Sequence, residues 1–287
     1  MAIHKMQKPT VAEIYHQIKK NANAADWRRD HLGCSQLGKK CERELWYSWR
    51  WYARPQFDGR IFRLFRRGKN EEIDLGEDLR AAGVTVLEGP EPGKQFRASI
   101  LWGHVGGSID FALLGLKEAP NIWHVGECKT YSLKGFEAVE RRGLFKARPV
   151  YYAQIQLYCE LFGFTYGAHL GVCKDDDRIN LERFRADSYF AGELIEKAAR
   201  ILKSSVPPPK MFKADSSECK FCQFRDVCHV GARPVKSCRS CQHGKPQLEG
   251  AGGAWRCSKW DRLITPQEQR AACEQYTKLG ALPVLGE

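Results

Sequence analysis

Hydrophobic and polar positions follow two different periods along the chain, and their order predicts the elements of the fold. Apolar residues at helical spacing predict helices near 10–24, 59–82, 133–143, 148–162 and 189–204. Short apolar runs rich in β-branched and aromatic residues predict strands near 84–88, 95–103, 104–114, 121–130, 166–174 and 179–186. This order of helix, strands, helices and strands predicts an α/β fold with a mixed central sheet flanked by helices.

Two of the predicted strands carry the most informative charges. The first contains Asp110, the second contains Glu127 and Lys129, and the polar connection at 117–121 predicts that they form a hairpin. Residues two apart on a strand share a face, so Glu127 and Lys129 point the same way and Asp110 can lie beside them. Such a group is costly in a half-buried sheet unless a cation binds there. A surface aspartate with a cross-strand Glu–Lys pair is the alternative interpretation of these residues.

Composition and charge narrow the class of partner. A chain of 287 residues, 43% of them hydrophobic, is long enough for one large domain and a small appendage. The net charge of +12 suits a polyanionic partner, although general solubility would also account for it. A basic stripe at mostly helical spacing precedes Glu72, and we expect it to contact phosphates unless it is merely a solvated face. The stripe consists of Arg60, Arg63, Arg66, Arg67 and Lys69.

Membrane insertion and secretion are not indicated by the sequence. No apolar run is long enough for a transmembrane helix, and residues 1–9 lack the apolar core of a signal peptide. We therefore expect a cytoplasmic protein. Because the cytosol keeps thiols reduced, the twelve cysteines predict metal ligands more than disulfides.

Eight of the cysteines form two sets separated by a predicted domain boundary near 229–237. The boundary divides the chain into a domain over 1–230 and an appendage over 231–287. The appendage has little apolar content, so we expect a structural zinc site to stabilise it. A loose tail with incidental cysteines is the alternative interpretation. The first set is Cys41, Cys219, Cys222 and Cys228, and the second is Cys238, Cys241, Cys257 and Cys273. Cys128, Cys159 and Cys173 fall in apolar patterns and are predicted core residues.

Taken together, these segments resemble the PD-(D/E)xK nuclease superfamily, and within it the RecB-like exonucleases, including the CRISPR-associated and AddB types. Glu72 stands four residues after Gly68, where that family places His or Glu. Gln154 and Tyr158 match the family's Gln-x-x-x-Tyr helix, and Asp110 with Glu127-Cys128-Lys129 matches its core motif. Cys41 begins a Cys-x-Arg motif before the core, as in family members with an iron–sulfur cluster. The resemblance spans about residues 35–230.

The resemblance implies a site and its cofactors. Asp110, Glu127, the Cys128 carbonyl and Glu72 would bind Mg²⁺ or Mn²⁺. Lys129 would act on the attacked phosphate or the nucleophile, or simply pair with Glu127. The remaining implied roles are positioning by Gln154 and Tyr158, a phosphate contact from Arg148, and a structural 4Fe–4S cluster on Cys41, Cys219, Cys222 and Cys228. Zinc in those four thiolates is the alternative, and Cys34 competes with Cys41 as a ligand.

The function implied is that of a metal-dependent exonuclease acting on single- or double-stranded DNA ends in recombination, repair or end processing. Recombination or replication proteins would be its partners. The compact form with a cysteine-rich tail also resembles phage recombination nucleases, which places the protein in a bacterial or phage-infected cell. A nuclease-like module that binds DNA without cutting it is the alternative. Neither strand polarity nor oligomeric state is indicated by the sequence.

An aromatic cluster within the predicted helix after Cys41 has two interpretations. It stacks single-stranded bases, or it packs that helix onto the core. The cluster comprises Trp46, Tyr47, Trp49, Trp51 and Tyr52.

Overall fold

The fold is described from a computed structural model that covers residues 9–280. Residues 1–8, which include most of the segment used above to argue against a signal peptide, lie outside this range. Residues 281–287, the end of the predicted appendage, also lie outside it. None of the helices within 9–280 combines the length and apolar character needed to cross a bilayer.

Eight α-helices and eleven strands are defined over this range. The helices are α1 (Pro9–Ala24), α2 (Glu42–Trp49), α3 (Gly59–Ala81), α4 (Leu133–Ala147), α5 (Pro149–Phe162), α6 (Ser188–Lys203), α7 (Ser217–Lys220) and α8 (Pro266–Ala271). The strands are β1 (Leu32–Gly33), β2 (Thr85–Leu87), β3 (Arg97–Ile100), β4 (Val105–Ser108), β5 (Phe111–Leu114), β6 (His124–Tyr131), β7 (Tyr166–Cys173), β8 (Ile179–Arg185), β9 (Gly244–Pro246), β10 (Trp255–Cys257) and β11 (Arg262–Ile264). The five helices predicted from periodicity are confirmed to within a few residues.

The central sheet has five strands in the order β2-β5-β6-β7-β8. Strands β6 and β7 are parallel, whereas the other neighbouring pairs are antiparallel. The predicted hairpin is β5–β6, with Phe111 opposite Gly126 and Leu113 opposite His124. Because β6 and β7 are parallel, the chain needs a crossover between them, and α4 and α5 provide it. The predicted α/β fold with a mixed central sheet is thus confirmed.

Helices cover both faces of this sheet. On one face, Leu75 of α3 packs with Phe111, Leu113 and the strand residues around them. On the other, Phe136 of α4 and Ile155 of α5 belong to the larger apolar cluster. Helix α3 begins where the Asp58 carboxylate accepts a hydrogen bond from the Ile61 amide at 2.8 Å. A sheet held between these two layers fixes the positions of the charged residues on and beside its central strand, β6.

The predicted strand over 104–114 is two strands that belong to different sheets. Strand β4 pairs in parallel with β1 and antiparallel with β3, whereas β5 pairs with β2 and β6. Residues Ile109 and Asp110 form the junction between them. The Asp110 carboxylate lies beside the central sheet because its backbone is leaving one ladder and entering the other.

The cysteine-rich C-terminal region packs into the main core. Its three strands, in the order β11-β10-β9, form a small antiparallel sheet that buries Trp255 completely. The Trp255 ring lies 4.9 Å from that of Trp49, centroid to centroid, and both belong to one apolar cluster. The buried Arg239 guanidinium donates to the carbonyls of Asp30 at 3.0 Å and Trp49 at 3.3 Å. Core packing therefore joins this region to the rest of the molecule.

The aromatic cluster of α2 lies in the same core. Its five aromatic side chains, from Trp46 to Tyr52, are at most 3% exposed. Because their faces are covered by protein, they cannot stack on bases, and the packing interpretation is the one the structure supports.

Candidate active site

The hairpin and the junction before it bring two carboxylates together. Asp110 Oδ2 accepts a hydrogen bond from the Cys128 amide at 3.0 Å, which ties the junction to β6. Glu127, in the middle of β6, is only 1% exposed. Alternation along the strand directs the Cys128 side chain to the opposite face, where it packs in the apolar layer under α3. The strand therefore buries a thiol on one face and a carboxylate on the other.

Partners for the Glu127 carboxylate come from its own strand and from α5. Lys129 Nζ forms an ion pair with Glu127 Oε1 and donates to the Cys128 carbonyl at 3.2 Å. Gln154 Nε2 donates to Glu127 Oε1 at 2.7 Å. The second oxygen, Oε2, is fully buried and has no hydrogen-bond partner within residues 9–280. Burying a carboxylate oxygen without a hydrogen-bond partner costs free energy. Glu127 is therefore better suited to bind a metal through Oε2 than to a purely structural role.

Helix α3 adds a third carboxylate and a lysine at the mouth of the site. Lys69 Nζ lies 2.5 Å from Glu72 Oε1, and the Glu72 side chain is 17% exposed. Both residues line an open cleft of about 660 Å³, together with Asp110. The loop and strand after β2 contribute Lys94 and Arg97 to the same cleft. The cleft thus joins a buried acidic centre to basic side chains at its entrance.

Burial and mutual repulsion raise the pKa values of the three acids. Burial raises the pKa of Asp110 to about 7, and the Glu127 charge adds to the shift. Burial likewise raises the pKa of Glu127, and it raises the pKa of Glu72 with a further contribution from Asp110. Burial opposes the Lys129 charge, but the Glu127 and Asp110 carboxylates together raise the pKa of Lys129. Crowded acids of this kind favour a bound cation, which would hold them ionised.

Gln154, Tyr158 and Arg148 occupy different surroundings. Gln154 reaches Glu127 as described above. Tyr158, on the same face of α5, is 3% exposed and packs against β4 so closely that a Cβ at Gly107 would lie 2.5 Å from its hydroxyl. Arg148, between α4 and α5, lies 5.7 Å from the centroid of the Tyr131 ring and donates to the Ala147 carbonyl. Gln154 is therefore the member of this group that contacts a carboxylate of the site directly.

The basic residues of α3 that were predicted to contact phosphates do not all face the same surface. Lys69 lines the cleft. Arg63 and Arg66 line a separate groove against α1, and Arg67 donates to the Lys174 carbonyl at 2.9 Å. Arg60 is exposed near the start of the helix. Only part of the stripe therefore faces the carboxylates.

Lys94 and Arg97 are cleft residues that the sequence analysis missed. They flank the start of β3, after a turn rich in glycine and proline. Their sequence signal was one basic residue just before the strand predicted over 95–103 and another within it. Their proximity to Asp110 depends on the pairing of β3 with β4, in which Arg97 lies opposite Ser108.

The first set of cysteines lines one small cavity. Cys41 caps α2, Cys219 lies in α7, and Cys222 and Cys228 follow. The cavity has a volume of about 20 Å³ and does not include Cys34, which is fully buried elsewhere. Burial raises the pKa of the Cys41 thiol, and Cys228 adds to the shift.

The second set of cysteines lines another cavity of about 20 Å³. Burial raises the pKa of Cys238 to about 11, and its three companion cysteines add to the shift. Across residues 9–280, no three His, Cys, Asp or Glu side chains form a preassembled metal-binding group. The convergence of four thiols on each cavity nevertheless fits a metal or cluster in donor type and number. Cys128, Cys159 and Cys173 are buried, which confirms them as core residues.

Comparisons with known proteins yield structural neighbours only. No protein-family model matches the chain, and no curated protein matches it either. The crystal structure of SSO0001 is 16% identical, with a TM-score of 0.44, over 79% of this chain and 100% of that one. An alkaline exonuclease from Laribacter hongkongensis is 16% identical, with a TM-score of 0.39, over 61% of this chain and 87% of that one. A phage-related exonuclease from Haemophilus somnus is 13% identical, with a TM-score of 0.42, over 62% of this chain and 93% of that one. Likeness at this level assigns neither family nor activity to the chain.

Proposed function

We propose that this protein is a divalent-metal-dependent deoxyribonuclease that removes nucleotides from DNA ends. The observation that carries the proposal is the buried Oε2 of Glu127, which has no hydrogen-bond partner within residues 9–280 and lies beside Asp110, Glu72 and Lys129. When bound, Mg²⁺ or Mn²⁺ would lower the pKa of a coordinated water and offset charge that develops on the phosphate.

The residues of the chain have distinct parts in this scheme. Asp110, Glu127, Glu72 and the Cys128 carbonyl supply the oxygen ligands that a hard cation prefers. Gln154 fixes the orientation of the Glu127 carboxylate by donating to its Oε1. The Lys129 ammonium supplies positive charge where the phosphate oxyanion forms.

Basic side chains at the entrance of the cleft would hold the phosphates next to the scissile one. Lys69, Lys94 and Arg97 line the cleft and are suited to that contact. Tyr158 supports the site through its packing against β4, since its hydroxyl lies next to Gly107.

The cysteine cavities complete the proposal. Cys41, Cys219, Cys222 and Cys228 would hold a structural 4Fe–4S cluster, and Cys238, Cys241, Cys257 and Cys273 would hold zinc. We further propose that the enzyme works in the cytoplasm of a bacterial or phage-infected cell, in recombination, repair or end processing, and alongside recombination or replication proteins.

The test is metal-dependent digestion of DNA labelled at the 5′ or the 3′ end, as single and as double strands. Asp110→Asn removes a ligand charge, and we expect cleavage to fall by about 10³-fold or more, since metal stabilisation is worth several kcal/mol. Lys129→Ala should lower cleavage by a similar order. Asp74→Asn, an exposed carboxylate of the same helix α3, is the matched control and should cut normally.

Asp110-independent products would contradict the assignment. Shifted DNA on gels without any Asp110-dependent product would instead support a module that binds DNA but no longer cuts it.

A further inference from the structure

A second cleft, which we call the aromatic groove, lies beside the candidate active site. It has a volume of about 390 Å³ and is formed by the segments that follow α1 and α2 and by the start of α3. Phe57, Phe62 and Phe65 line it with their rings edge to face, at centroid distances of 5.8, 5.2 and 6.1 Å. Phe65 is 52% exposed and Phe57 is 36% exposed. Aromatic rings gathered in an open groove mark a binding surface.

The groove also has positively charged lining residues. Arg29 and Arg54 line it together with the Trp27 ring, and Arg54 donates to the Asn23 carbonyl at 3.0 Å. Asp26 lines the groove as well, but its carboxylate is paired with Arg270 at 2.5 Å and with Arg28 at 3.3 Å. Aromatic faces next to guanidinium groups are the combination that stacks nucleic-acid bases and neutralises their phosphates.

One face of α3 runs from the aromatic groove to the catalytic carboxylates. Phe65, Lys69 and Glu72 are spaced by four and three residues, so they lie along one side of the helix. Phe65 precedes Glu72 by seven residues, which is about 10 Å along the helix axis. At the stacked spacing of about 3.4 Å per nucleotide, that distance corresponds to about three nucleotides.

A small sheet forms a common wall between the groove and the cleft. Strand β4 lies between β1 and β3, with Leu32 opposite Val105 and Ile100 opposite Val105. His31, just before β1, lines the groove, and Arg97, at the start of β3, lines the cleft. A Cβ at Gly106 in β4 would lie 3.6 Å from the His31 ring and 2.8 Å from the carbonyl oxygen of Ala98, the neighbour of Arg97, so the wall between the groove and the cleft is thin.

We propose that the aromatic groove binds unpaired bases of the strand whose phosphate lies in the cleft, so that the substrate is a single-stranded DNA end or overhang. A duplex keeps the faces of its bases stacked on one another and offers only edges and phosphates, whereas an unpaired strand exposes base faces to Phe57 and Phe65. The location of the scissile phosphate in this proposal rests on the nuclease function proposed above.

The test is binding of fluorescently labelled oligonucleotides by the full-length protein, followed by anisotropy in EDTA so that nothing is cut. The probes are a 20-nucleotide thymidine strand, an abasic strand of equal length and a blunt 20-base-pair duplex. We expect Phe57→Ala/Phe65→Ala to weaken binding of the thymidine strand by about tenfold or more, because stacking is worth about 1–3 kcal/mol per base. Binding of the abasic strand and of the duplex should not change.

Two further variants separate stacking from folding. Phe65→Trp keeps an aromatic face and should retain affinity for the thymidine strand. Phe145→Ala removes a ring of α4 that is 55% exposed and lines neither cleft, and it should bind all three probes normally. An equal loss for all three probes in Phe57→Ala/Phe65→Ala, or no loss for the thymidine strand, would overturn the proposal.

Failure of the groove and failure of the nuclease function are distinguishable in the same material. If the thymidine strand shows the Phe65-dependent affinity but Mn²⁺ produces no Asp110-dependent products, base binding in the groove is supported and the proposed nuclease function is contradicted. If Asp110-dependent products appear and Phe57→Ala/Phe65→Ala cuts and binds single strands as well as the wild type, base binding in the groove is contradicted and the proposed nuclease function is supported.

Discussion

The candidate catalytic cleft and the cavity of Cys41 both gather possible metal ligands from distant segments, yet the protein holds the two sets differently. In the cleft, Asp110 is bound to a β6 amide, Glu127 to Gln154, and Glu72 to Lys69. Around the cavity, Cys219 lies in a helix of four residues and Cys228 in a π-helical turn of five. The Cys219 sulfur contacts His229 Nε2 at 3.4 Å.

From this contrast we infer that the cysteine cavity, more than the cleft, depends on a bound metal for its order. Hydrogen bonds and a layered sheet preorganise the cleft, so its geometry should persist without metal. The cysteine cavity joins α2 to a segment with little regular structure, and Cys41 and Cys219 are about 180 residues apart in sequence. The proposed cluster would close this long loop and stabilise the fold by restricting the unfolded chain.

Loss of the proposed cluster should destabilise the protein more than any other change considered below. Under the proposed 4Fe–4S assignment, Cys222→Ser should remove the iron and lower the free energy of unfolding by up to about 5 kcal/mol, the value for closing a loop of this length. In a domain of this size that corresponds to a fall in melting temperature of about 10–20 °C. Iron, sulfide and zinc content together with thermal unfolding would measure it.

Cys34→Ala is the control for that experiment, because Cys34 is buried outside the cavity. It should keep its iron. If Cys222→Ser kept iron and melting temperature while Cys34→Ala lost them, the assigned ligand set would be wrong.

In the metal-free cleft, by contrast, we expect the protein to become more stable when the Asp110 carboxylate is neutralised. The folded-state pKa of Asp110 lies near 7, above its ordinary value of 3.8, so the folded protein binds more protons between these pH values. Stability then falls as pH rises through that window, and the loss is complete above about pH 7. Asp110→Asn removes this loss, so it should be more stable than the wild type at pH 8 by about 4 kcal/mol and no more stable at pH 4.

Urea unfolding in EDTA at the two pH values measures this difference. Asp74→Asn, whose carboxylate is exposed on α3, should show none. Lower stability of Asp110→Asn at pH 8 would mean that the carboxylate is a structural element of the cleft, as the thiols are of the cavity.

Removing one positioning hydrogen bond should change activity less, and it tests whether the cleft is preorganised. Gln154→Ala removes the donor to Glu127 Oε1 and leaves the carboxylate less firmly oriented. We expect kcat for cleavage to fall by about tenfold with little change in KM, the loss of one positioning hydrogen bond of about 1.4 kcal/mol. Gln156→Ala removes a buried amide of the same helix that donates to the Arg185 carbonyl, away from the cleft. It should lower stability and leave kcat unchanged; an equal fall in kcat for both variants would contradict the role of Gln154.

The hairpin and its charges could be predicted from the sequence because strand periodicity and a short polar connection are local signals. The position of Asp110 could not be fully predicted, since the run over 104–114 is continuous in sequence but changes sheets at Ile109 and Asp110. Pairing between distant strands decides such a change, and no local pattern encodes it.

The basic stripe and the aromatic cluster show the same limit for helices. Helical spacing places Arg63 on one side of α3, but the packing of α1 determines what that side faces. Likewise, Trp49 and Trp51 are covered by Trp255 and Arg239, which lie about 200 residues later. Exposure in both cases is a property of the assembled molecule.

Trp255 also links the folding of the N-terminal core to the synthesis of a much later segment. A chain leaves the ribosome from its N-terminus, so the cleft residues, from Lys69 to Gln154, emerge before Trp255. Until then, the Trp49 ring and the Arg50 guanidinium lack the packing that Trp255 provides. A nascent chain therefore carries its carboxylates before this part of the core is complete, and the proposed nuclease activity should arise only after Trp255 has been synthesised.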